Sequence, residues 1–209
     1  MLNHLIEYEY ELREERKIER LTKRAEFKVL ASLGQIDIVP GRGIDNQLLK
    51  RLGTLKWVDS YENVLLSGPT GSGKTFIANA LGQQACKMGK RVQYLLMNKL
   101  IRRYKESKLE NSIGKMIKNL ERMDILILDD IGLTPIDKET CRLLFEIIDD
   151  RYGNGSTIMS SQIPIKLRGK LFEDKTLGDA IIDRVIHNSF KIDLPGGDDS
   201  MRAIKKVVN

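Results

Sequence analysis

Residues 63–75 read NVLLSGPTGSGKT, an apolar run that leads into a glycine-rich loop, and this stretch decides the fold. The loop fits the pattern G-x-x-x-x-G-K-S/T and consists of Gly68, Pro69, Thr70, Gly71, Ser72, Gly73, Lys74 and Thr75. A strand pattern precedes it and a helix pattern over 74–87 follows it, which is the context of a phosphate-binding loop. Glycines let the backbone amides surround phosphates at the start of a helix. We therefore expect a nucleotide site, with Lys74 reaching the β- and γ-phosphates and the Thr75 hydroxyl ligating Mg²⁺.

Downstream of this loop, apolar strand patterns alternate with helix patterns. The strand patterns cover residues 63–67, 91–96, 124–129, 156–160 and 190–194, and the helix patterns cover residues 74–87, 98–122, 138–152 and 177–188. Strands that alternate with helices pair in parallel and are covered on both faces. The sequence therefore predicts an α/β fold, a three-layer αβα core around a five-stranded parallel sheet. A charged helix is predicted ahead of this core over residues 2–30.

Length and composition limit the class of protein. We expect an N-terminal helix over 1–33, a linker and pre-core segment over 34–60, the core over 61–195 and a tail over 196–209. The two cysteines and two histidines argue against a disulfide framework or a zinc site. No apolar run reaches about 18 residues and the N-terminus is highly charged, so we expect no membrane span, no secretory signal and a cytoplasmic location. The formal net charge of +6 indicates an anionic partner.

Two carboxylates follow the most apolar strand pattern, ILIL at residues 125–128. Because open parallel sheets bind ligands beyond the carboxyl ends of their strands, Asp129 is expected to meet the Mg²⁺ held by Thr75. Asp130 is then placed to orient or polarise an attacking water. Gln162 follows the next strand pattern and would lie near the γ-phosphate if the two strands are neighbours. The alternative for Asp129 and Asp130 is a strand that ends in a solvated turn. The alternative for Gln162 is a polar turn.

Basic residues concentrate in the predicted helical stretch over 98–122, which holds eight basic and three acidic residues. Such a stripe suits sequence-independent DNA binding, because phosphate contacts dominate the affinity. The candidate DNA contacts are Lys99, Arg102, Arg103, Lys105 and Lys108. A solvated helix face is the alternative reading of the same composition.

Arg184 belongs to a predicted helix whose apolar face is formed by Ile181, Ile182 and Val185. The arginine lies off that face. It could therefore enter the site of a neighbouring subunit as an arginine finger, or it could simply be solvated.

Several motifs occur in one order along the chain, and the set is more specific than the phosphate loop alone. They are GPTGSGKT at 68–75, ILILDDIGL at 125–133, Pro135, LLF at 143–145, RY at 151–152, GSTI at 155–158 and DAIIDRVIH at 179–187. Together they resemble the IstB-like family of transposition helper ATPases, relatives of bacterial helicase loaders within the AAA+ class. The charged helix ahead of the core is also similar to a helix of that family.

The resemblance implies an AAA+ P-loop fold that binds ATP and Mg²⁺. It implies ATP-dependent self-association on duplex DNA with little sequence preference, and assistance to a cognate transposase. It also implies that the basic stretch grips DNA. The roles carried over by this resemblance are MgATP binding by Lys74, Thr75 and Asp129, catalysis by Asp130, a first sensor at Gln162 and a trans-acting finger at Arg184.

Departures from the family pattern carry expectations of their own. Asp130 stands where glutamate is commonest, so hydrolysis is expected to be slow, and Gln162 stands where asparagine is usual. Only 15 residues follow Leu194, so the helical lid domain is expected to be absent or vestigial, with Arg202 the late candidate for a second sensor. The start at Met1 leads us to expect that a further N-terminal module is absent.

Three other functions fit parts of the sequence. A helicase loader would have a similar ATP site and would differ in its partner, a replicative helicase. A small-molecule P-loop kinase would need an acceptor pocket, for which no motif is evident. A nucleotide-gated scaffold would bind ATP and hardly hydrolyse it, which the short side chain of Asp130 would favour.

Overall fold

Five parallel strands form the central sheet. The structure, a computed structural model, describes residues 2–38, 43–133, 136–163 and 171–195. The strands are β1 (Asn63–Ser67), β2 (Val92–Leu96), β3 (Ile125–Ile131), β4 (Ser156–Ser161) and β5 (Ser189–Asp193), and their spatial order is β2-β3-β4-β1-β5. Every neighbouring pair is parallel, which confirms the predicted five-stranded parallel sheet. The carboxyl ends of the strands therefore lie along one edge of the sheet.

Helices cover both faces of the sheet. They are α1 (Leu2–Ala25), α2 (Asn46–Gly53), α3 (Lys56–Asp59), α4 (Lys74–Lys87), α5 (Met97–Leu109), α6 (Ile113–Glu121), α7 (Lys138–Arg151) and α8 (Lys175–Ile186). Alternate strand residues face opposite ways: Val64 packs in the core formed with α1–α4, and Leu65 packs in the core formed with α5–α8. This alternation gives the predicted three-layer αβα arrangement. None of the helices among the described residues is both long and apolar enough to cross a membrane.

The basic stretch over 98–122, predicted to be helical, divides into two helices. These are α5 and α6, and they are separated by a turn in which Asn111 has φ 53°. Asparagine tolerates this left-handed conformation better than most residues. Leu100 in α5 and Ile117 in α6 are both buried in the same core. Because the apolar spacing continues through both helices, the periodicity alone did not reveal the turn.

The region ahead of β1 also differs from its prediction. The helix predicted over 2–30 ends at Ala25, and the next residue, Glu26, has φ 57°. Residues 34–60, predicted as a linker and pre-core segment, contain α2 and α3. Asp45 caps α2 by accepting a hydrogen bond of 2.7 Å from the backbone N–H of Leu48, and Trp57 of α3 is 1% exposed. This segment therefore contributes to the core.

Arg151, the last residue of α7, is a buried charge that joins three elements. Its Nη1 donates hydrogen bonds to the carbonyl oxygens of Leu120 at 2.7 Å and Met123 at 2.8 Å, and its Nη2 donates to the carbonyl oxygen of Ser156. Burial lowers the pKa of Arg151 to about 10. The guanidinium thereby fixes the end of α6 and the start of β4 against α7.

Candidate functional site

The glycine-rich loop joins β1 to α4 at the carboxyl edge of the sheet. Gly68 has φ 145°, and a Cβ at this position would lie 2.2 Å from the carbonyl oxygen of Leu194 and 2.9 Å from Oγ of Ser72. Only glycine therefore fits where the loop leaves β1. The loop continues into the first turn of α4 at Lys74, where the helix dipole favours anions. The residue types and the backbone together suit a bound phosphate group.

The ammonium group of Lys74 already lies within this loop. Lys74 is 5% exposed, and its Nζ donates hydrogen bonds to the carbonyl oxygens of Gly68 at 2.7 Å and Pro69 at 2.8 Å. Burial lowers the pKa of Lys74, while the charges of Asp130 and Asp129 oppose that shift. Phosphate oxygens could replace these carbonyl oxygens as acceptors when a nucleotide occupies the loop.

Asp129 is a fully buried carboxylate near the carboxyl end of β3, two residues before its last residue. Its Oδ2 accepts hydrogen bonds from the Thr75 hydroxyl at 2.8 Å and from the Tyr94 hydroxyl at 2.6 Å. Its Oδ1 accepts hydrogen bonds from the Ser160 hydroxyl and from the backbone N–H of Asp130. Burial, together with the hydrogen bond and charge of Asp129, raises the pKa of Tyr94. The structure thus brings together Thr75 and Asp129, two residues that the sequence expects to meet.

Mg²⁺ fits the donors present at this edge of the sheet. Thr75 and Asp129 offer a hydroxyl and a carboxylate oxygen side by side, which are the hard oxygen donors that Mg²⁺ prefers. The described residues contain no cluster of three or more histidine, cysteine, aspartate or glutamate side chains that could hold a metal ion. Magnesium in phosphate-loop sites typically uses one or two protein oxygens and completes its shell with phosphate oxygens and water. The two residues could therefore hold a nucleotide-bound Mg²⁺.

Asp130 occupies a strained backbone position beside Asp129. Its φ is 60°, in the left-handed region, and the pairing of β3 with β4 shifts register between Leu128 and Ile131. Its backbone N–H donates to Asp129 at 3.0 Å and lies 3.2 Å from Oγ of Ser160. Strained residues of this kind concentrate at functional sites. The side chain of Asp130 is 26% exposed, so its carboxylate is accessible at the edge of the sheet.

Sequence reasoning missed the polar residues that surround the two carboxylates. Tyr94 lies on β2 and Ser160 on β4, the two strands that flank β3. The sequence did contain a signal for Ser160, because this residue belongs to the polar run at the end of β4. The prediction for Gln162 required β4 to lie beside β3, and the two strands are neighbours. Ser160 is the β4 side chain that contacts Asp129, and Gln162 is half-buried just beyond the strand end. The role expected for Gln162 stays a prediction.

Arg184 does not join the site of its own chain. Its Nε donates a hydrogen bond of 2.7 Å to Asp149, and its guanidinium carbon lies 4.5 Å from the centre of the Phe145 ring. It lines a small cavity with Asn63, the first residue of β1, and therefore lies at the opposite edge of the sheet from the phosphate loop. A trans-acting role for Arg184 stays a prediction. Arg202, the candidate second sensor, lies outside the described residues.

The basic face of α5 begins at the carboxyl edge of the sheet, directly after β2. Four of its five candidate DNA contacts are exposed: Lys99, Arg102, Lys105 and Lys108. Arg103 donates a hydrogen bond of 2.6 Å to Glu26, and Lys108 donates one of 2.7 Å to Glu139. Of the five residues predicted to contact DNA, Arg103 and Lys108 therefore pair with carboxylates of the same chain. Their contact with DNA stays a prediction.

A family model described as IstB-like ATP binding protein matches residues 1–208 of the chain. The chain belongs to this family. Its relatives include a protein of Sinorhizobium fredii, 34% identical over 195 residues that cover 93% of this chain and 80% of the relative. The insertion sequence IS1162 protein of Pseudomonas fluorescens is 39% identical over 164 residues, 78% of this chain and 71% of the relative. The names of both relatives place them in insertion sequences and propose that they bind ATP.

Solved structures of replication proteins share the fold of this IstB-like protein. The DnaC helicase loader is 22% identical with a TM-score of 0.65, covering 78% of this chain and 96% of DnaC. DnaA of Aquifex aeolicus bound to AMPPCP is 19% identical with a TM-score of 0.70, covering 88% of this chain and 55% of DnaA. At these identities the likeness concerns the fold alone. The predictions of an AAA+ P-loop fold and of the IstB-like family are confirmed.

Proposed function

We propose that this IstB-like protein is a DNA-dependent ATPase that assembles on duplex DNA and assists a cognate transposase in insertion-sequence transposition. The convergence of Lys74, Thr75 and Asp129 at one edge of the sheet, with Asp130 beside them, carries the proposal. The relatives from insertion sequences support the transposition context. The protein would act in the cytoplasm, where DNA and ATP are available.

The chemistry follows from the positions of these side chains. The loop amides and Lys74 bind the β- and γ-phosphates and stabilise the negative charge that develops on them. Thr75 and Asp129 would hold Mg²⁺, which would neutralise phosphate charge when bound. The Asp130 carboxylate orients a water molecule for attack on the γ-phosphate and accepts its proton, so that ADP and phosphate are released. Gln162 acts in this scheme as the sensor of the γ-phosphate.

In this proposal, self-association supplies a further positive charge at the γ-phosphate, that of Arg184 from a neighbouring subunit. Arg184 lies far from the phosphate loop of its own chain and is 30% exposed, so it would have to serve a neighbouring subunit. To do so it would exchange its hydrogen bond with Asp149 for the γ-phosphate of the neighbour's ATP. ATP binding would thereby favour the oligomer, since the nucleotide lies between two subunits.

The ATPase proposal is tested by measuring ATP hydrolysis by the whole chain with and without duplex DNA. We expect hydrolysis that requires Mg²⁺ and rises when duplex DNA is added. Binding to duplex DNA, measured by gel shift, should strengthen with ATP, weaken with salt and depend little on sequence. A chain that binds no duplex DNA, with or without ATP, would contradict the DNA-dependent part of the proposal.

A helicase loader is the second candidate function, and the likeness to the fold of DnaC favours it. The two functions differ in the partner protein and share the ATP site. Affinity capture with the whole chain as bait, in the presence of ATP and duplex DNA, separates them. Recovery of a transposase would support the transposition proposal, and recovery of a replicative helicase in its place would favour the loader.

A further inference from the structure

The segment that follows α1 is attached to the helix of the phosphate loop through one buried side chain. Asn79 of α4 is 0% exposed. Its Oδ1 accepts hydrogen bonds from the backbone N–H groups of Lys28 at 3.0 Å and Val29 at 3.5 Å, and its Nδ2 donates one of 2.6 Å to the carbonyl oxygen of Thr75. The side-chain amide of Asn79 thus connects the N-terminal segment to Thr75, one of the two residues of the proposed Mg²⁺ site.

Packing fixes the same segment on both sides of this amide. A Cβ on Gly82 of α4 would lie 2.6 Å from Cε1 of Phe27, so the aromatic ring packs directly against the helix backbone. The side chain of Gln83 donates a hydrogen bond of 2.9 Å to the carbonyl oxygen of Val29. The backbone at residues 27–29 is therefore held by contacts on both sides of Lys28.

This backbone brings the side chain of Lys28 to the candidate catalytic carboxylate. Nζ of Lys28 lies 3.7 Å from Oδ2 of Asp130, and the two side chains are 46% and 26% exposed. The backbone of Asp130 is itself held by the hydrogen bonds of its N–H to Asp129 and Ser160. Because the backbones of Lys28 and Asp130 are both held by hydrogen bonds, this ion pair orients the carboxylate of Asp130 towards the N-terminal segment.

The same segment is also joined to the basic face of α5. Glu26, whose φ is 57°, accepts a hydrogen bond of 2.6 Å from Nη2 of Arg103. Two ion pairs therefore hold the short stretch between α1 and residue 29, one to a candidate DNA contact and one to Asp130. An anionic ligand at Arg103 would compete with Glu26 and so weaken one of the two attachments.

We propose that Lys28 is a positioning residue that restrains Asp130 in the DNA-free protein, and that the Glu26–Arg103 pair makes this restraint sensitive to DNA. The inference rests on the proposed function, in which Asp130 is the catalytic carboxylate. An ammonium group at Oδ2 competes with the attacking water for the same carboxylate oxygen. DNA phosphates that bind Arg103 in place of Glu26 weaken the attachment of residues 26–29. The ion pair between Lys28 and Asp130 then breaks, and the Asp130 carboxylate becomes available for catalysis.

The test is single-turnover ATP hydrolysis at saturating ATP, with and without duplex DNA. Removing the pair in Lys28→Met should raise the DNA-free rate about threefold, the size of effect expected of a partly exposed ion pair. The ratio of DNA-stimulated to DNA-free rate should fall by the same factor, while affinity for a non-hydrolysable ATP analogue stays unchanged. Lys28→Arg keeps the charge and should behave as the wild type, as should Lys23→Met, which removes an exposed charge of α1.

Two further variants separate the parts of this proposal. Glu26→Gln should also raise the DNA-free rate and reduce the stimulation by DNA, whereas Glu19→Gln, at an exposed position of α1, should change neither. Lys28→Met should have no effect on the residual rate when it is combined with Asp130→Asn. An unchanged rate in Glu26→Gln would remove the connection to DNA and overturn that half of the proposal.

Other outcomes identify which claim fails. A DNA-free rate in Lys28→Met that equals or falls below the wild-type rate would overturn the restraint, and a simultaneous loss of ATP affinity would mean that Lys28 contacts the nucleotide. An equal rise in Lys28→Arg would also overturn it. If the wild type hydrolyses no ATP under any condition, or if Asp130→Asn hydrolyses it at the wild-type rate, the proposed function itself fails and this inference fails with it.

Discussion

The hydroxyl of Tyr94 donates a hydrogen bond of 2.6 Å to Oδ2 of Asp129, the same oxygen that accepts from Thr75. Tyr94 is 3% exposed, so this hydrogen bond lies inside the protein, next to the proposed Mg²⁺ site. It helps to fix the orientation in which Asp129 meets Thr75. Outer hydrogen bonds of this kind tune the affinity of a metal site.

Replacing Tyr94 should therefore weaken the binding of MgATP. Tyr94→Phe keeps the ring and removes the hydroxyl, and we expect about a tenfold loss of affinity for MgATP. Titration calorimetry measures the loss. Tyr104→Phe is the matched control, because the Tyr104 hydroxyl contacts Glu139 on the surface between α5 and α7. Equal affinities in the two variants would contradict a role for Tyr94 in positioning Asp129.

The ion pair between Asp124 and Arg91 should make stability depend on pH. Asp124 accepts hydrogen bonds from the backbone N–H of Arg91 at 2.6 Å and from its Nη2 at 2.9 Å. Burial on its own raises the pKa of Asp124, but these hydrogen bonds and the charge of Arg91 outweigh burial and leave that pKa below its ordinary value. A lowered pKa stabilises the folded protein above the ordinary aspartate pKa of about 4, and this contribution is lost as the pH falls through the lowered value.

Asp124→Asn should therefore lower the free energy of unfolding at neutral pH by about 1 kcal/mol. The difference from the wild type should shrink as the pH falls below the ordinary aspartate pKa of about 4 and through the lowered value, because the wild-type carboxyl becomes neutral there. Urea unfolding at neutral pH and at a series of acidic pH values measures it, with Asp150→Asn as an exposed control. A difference that is constant across this range would contradict the assignment.

Arg151 should be one of the most sensitive positions for stability. Arg151→Met fills a similar volume and leaves the carbonyl oxygens of Leu120, Met123 and Ser156 without this donor, so we expect a loss of about 3 kcal/mol or more in the free energy of unfolding. Urea unfolding measures the change. Arg142→Met removes an exposed charge from the same helix and should cost little. If the two variants unfold at the same urea concentration, the buried hydrogen bonds of Arg151 contribute nothing.

The exposed cations of α5 should set the salt dependence of DNA binding. The triple variant replaces Lys99, Arg102 and Lys105 by glutamine. If each contacts one phosphate, the slope of log affinity against log salt should decrease by about 0.9 for each residue. Fluorescence anisotropy with a short duplex at several salt concentrations measures the slope.

The control for this experiment is a second triple variant that replaces three exposed lysines on other helices by glutamine, at Lys50, Lys56 and Lys87. It removes the same charge from other parts of the surface. The affinity should fall slightly through the change in net charge, while the slope should stay close to that of the wild type. Equal slopes in the two triple variants would show that α5 has no special contact with DNA.

Much of the fold and the centre of the site could be predicted because each depends on a local pattern. The apolar runs of β1 and β3 identify buried parallel strands, and parallel strands place their carboxyl ends together. The proximity of Thr75 and Asp129 follows from that topology, although 54 residues separate them in sequence. Predictions of this kind need only the order of the elements.

Other features depend on contacts that no local pattern records. The turn at Asn111 interrupts an apolar spacing that continues on both sides of it, and the short helix α2 is stabilised by packing of Leu52 in the core. The ion pair of Lys28 with Asp130 exists because Asn79 and Phe27 fix a segment on the surface of α4. A sequence pattern cannot place two side chains that meet only after the N-terminal segment packs on the core.

The most direct test of the central claim is the binding of MgATP to the phosphate loop, measured by titration calorimetry on the wild type and on Lys74→Ala. We predict saturable heat from a single class of site in the wild type and none in the variant, because the ammonium group of Lys74 is the charge that meets the β- and γ-phosphates. Circular dichroism would show that both proteins are folded. No heat from the wild type with Mg²⁺ present, or equal binding by the two proteins, would contradict the account.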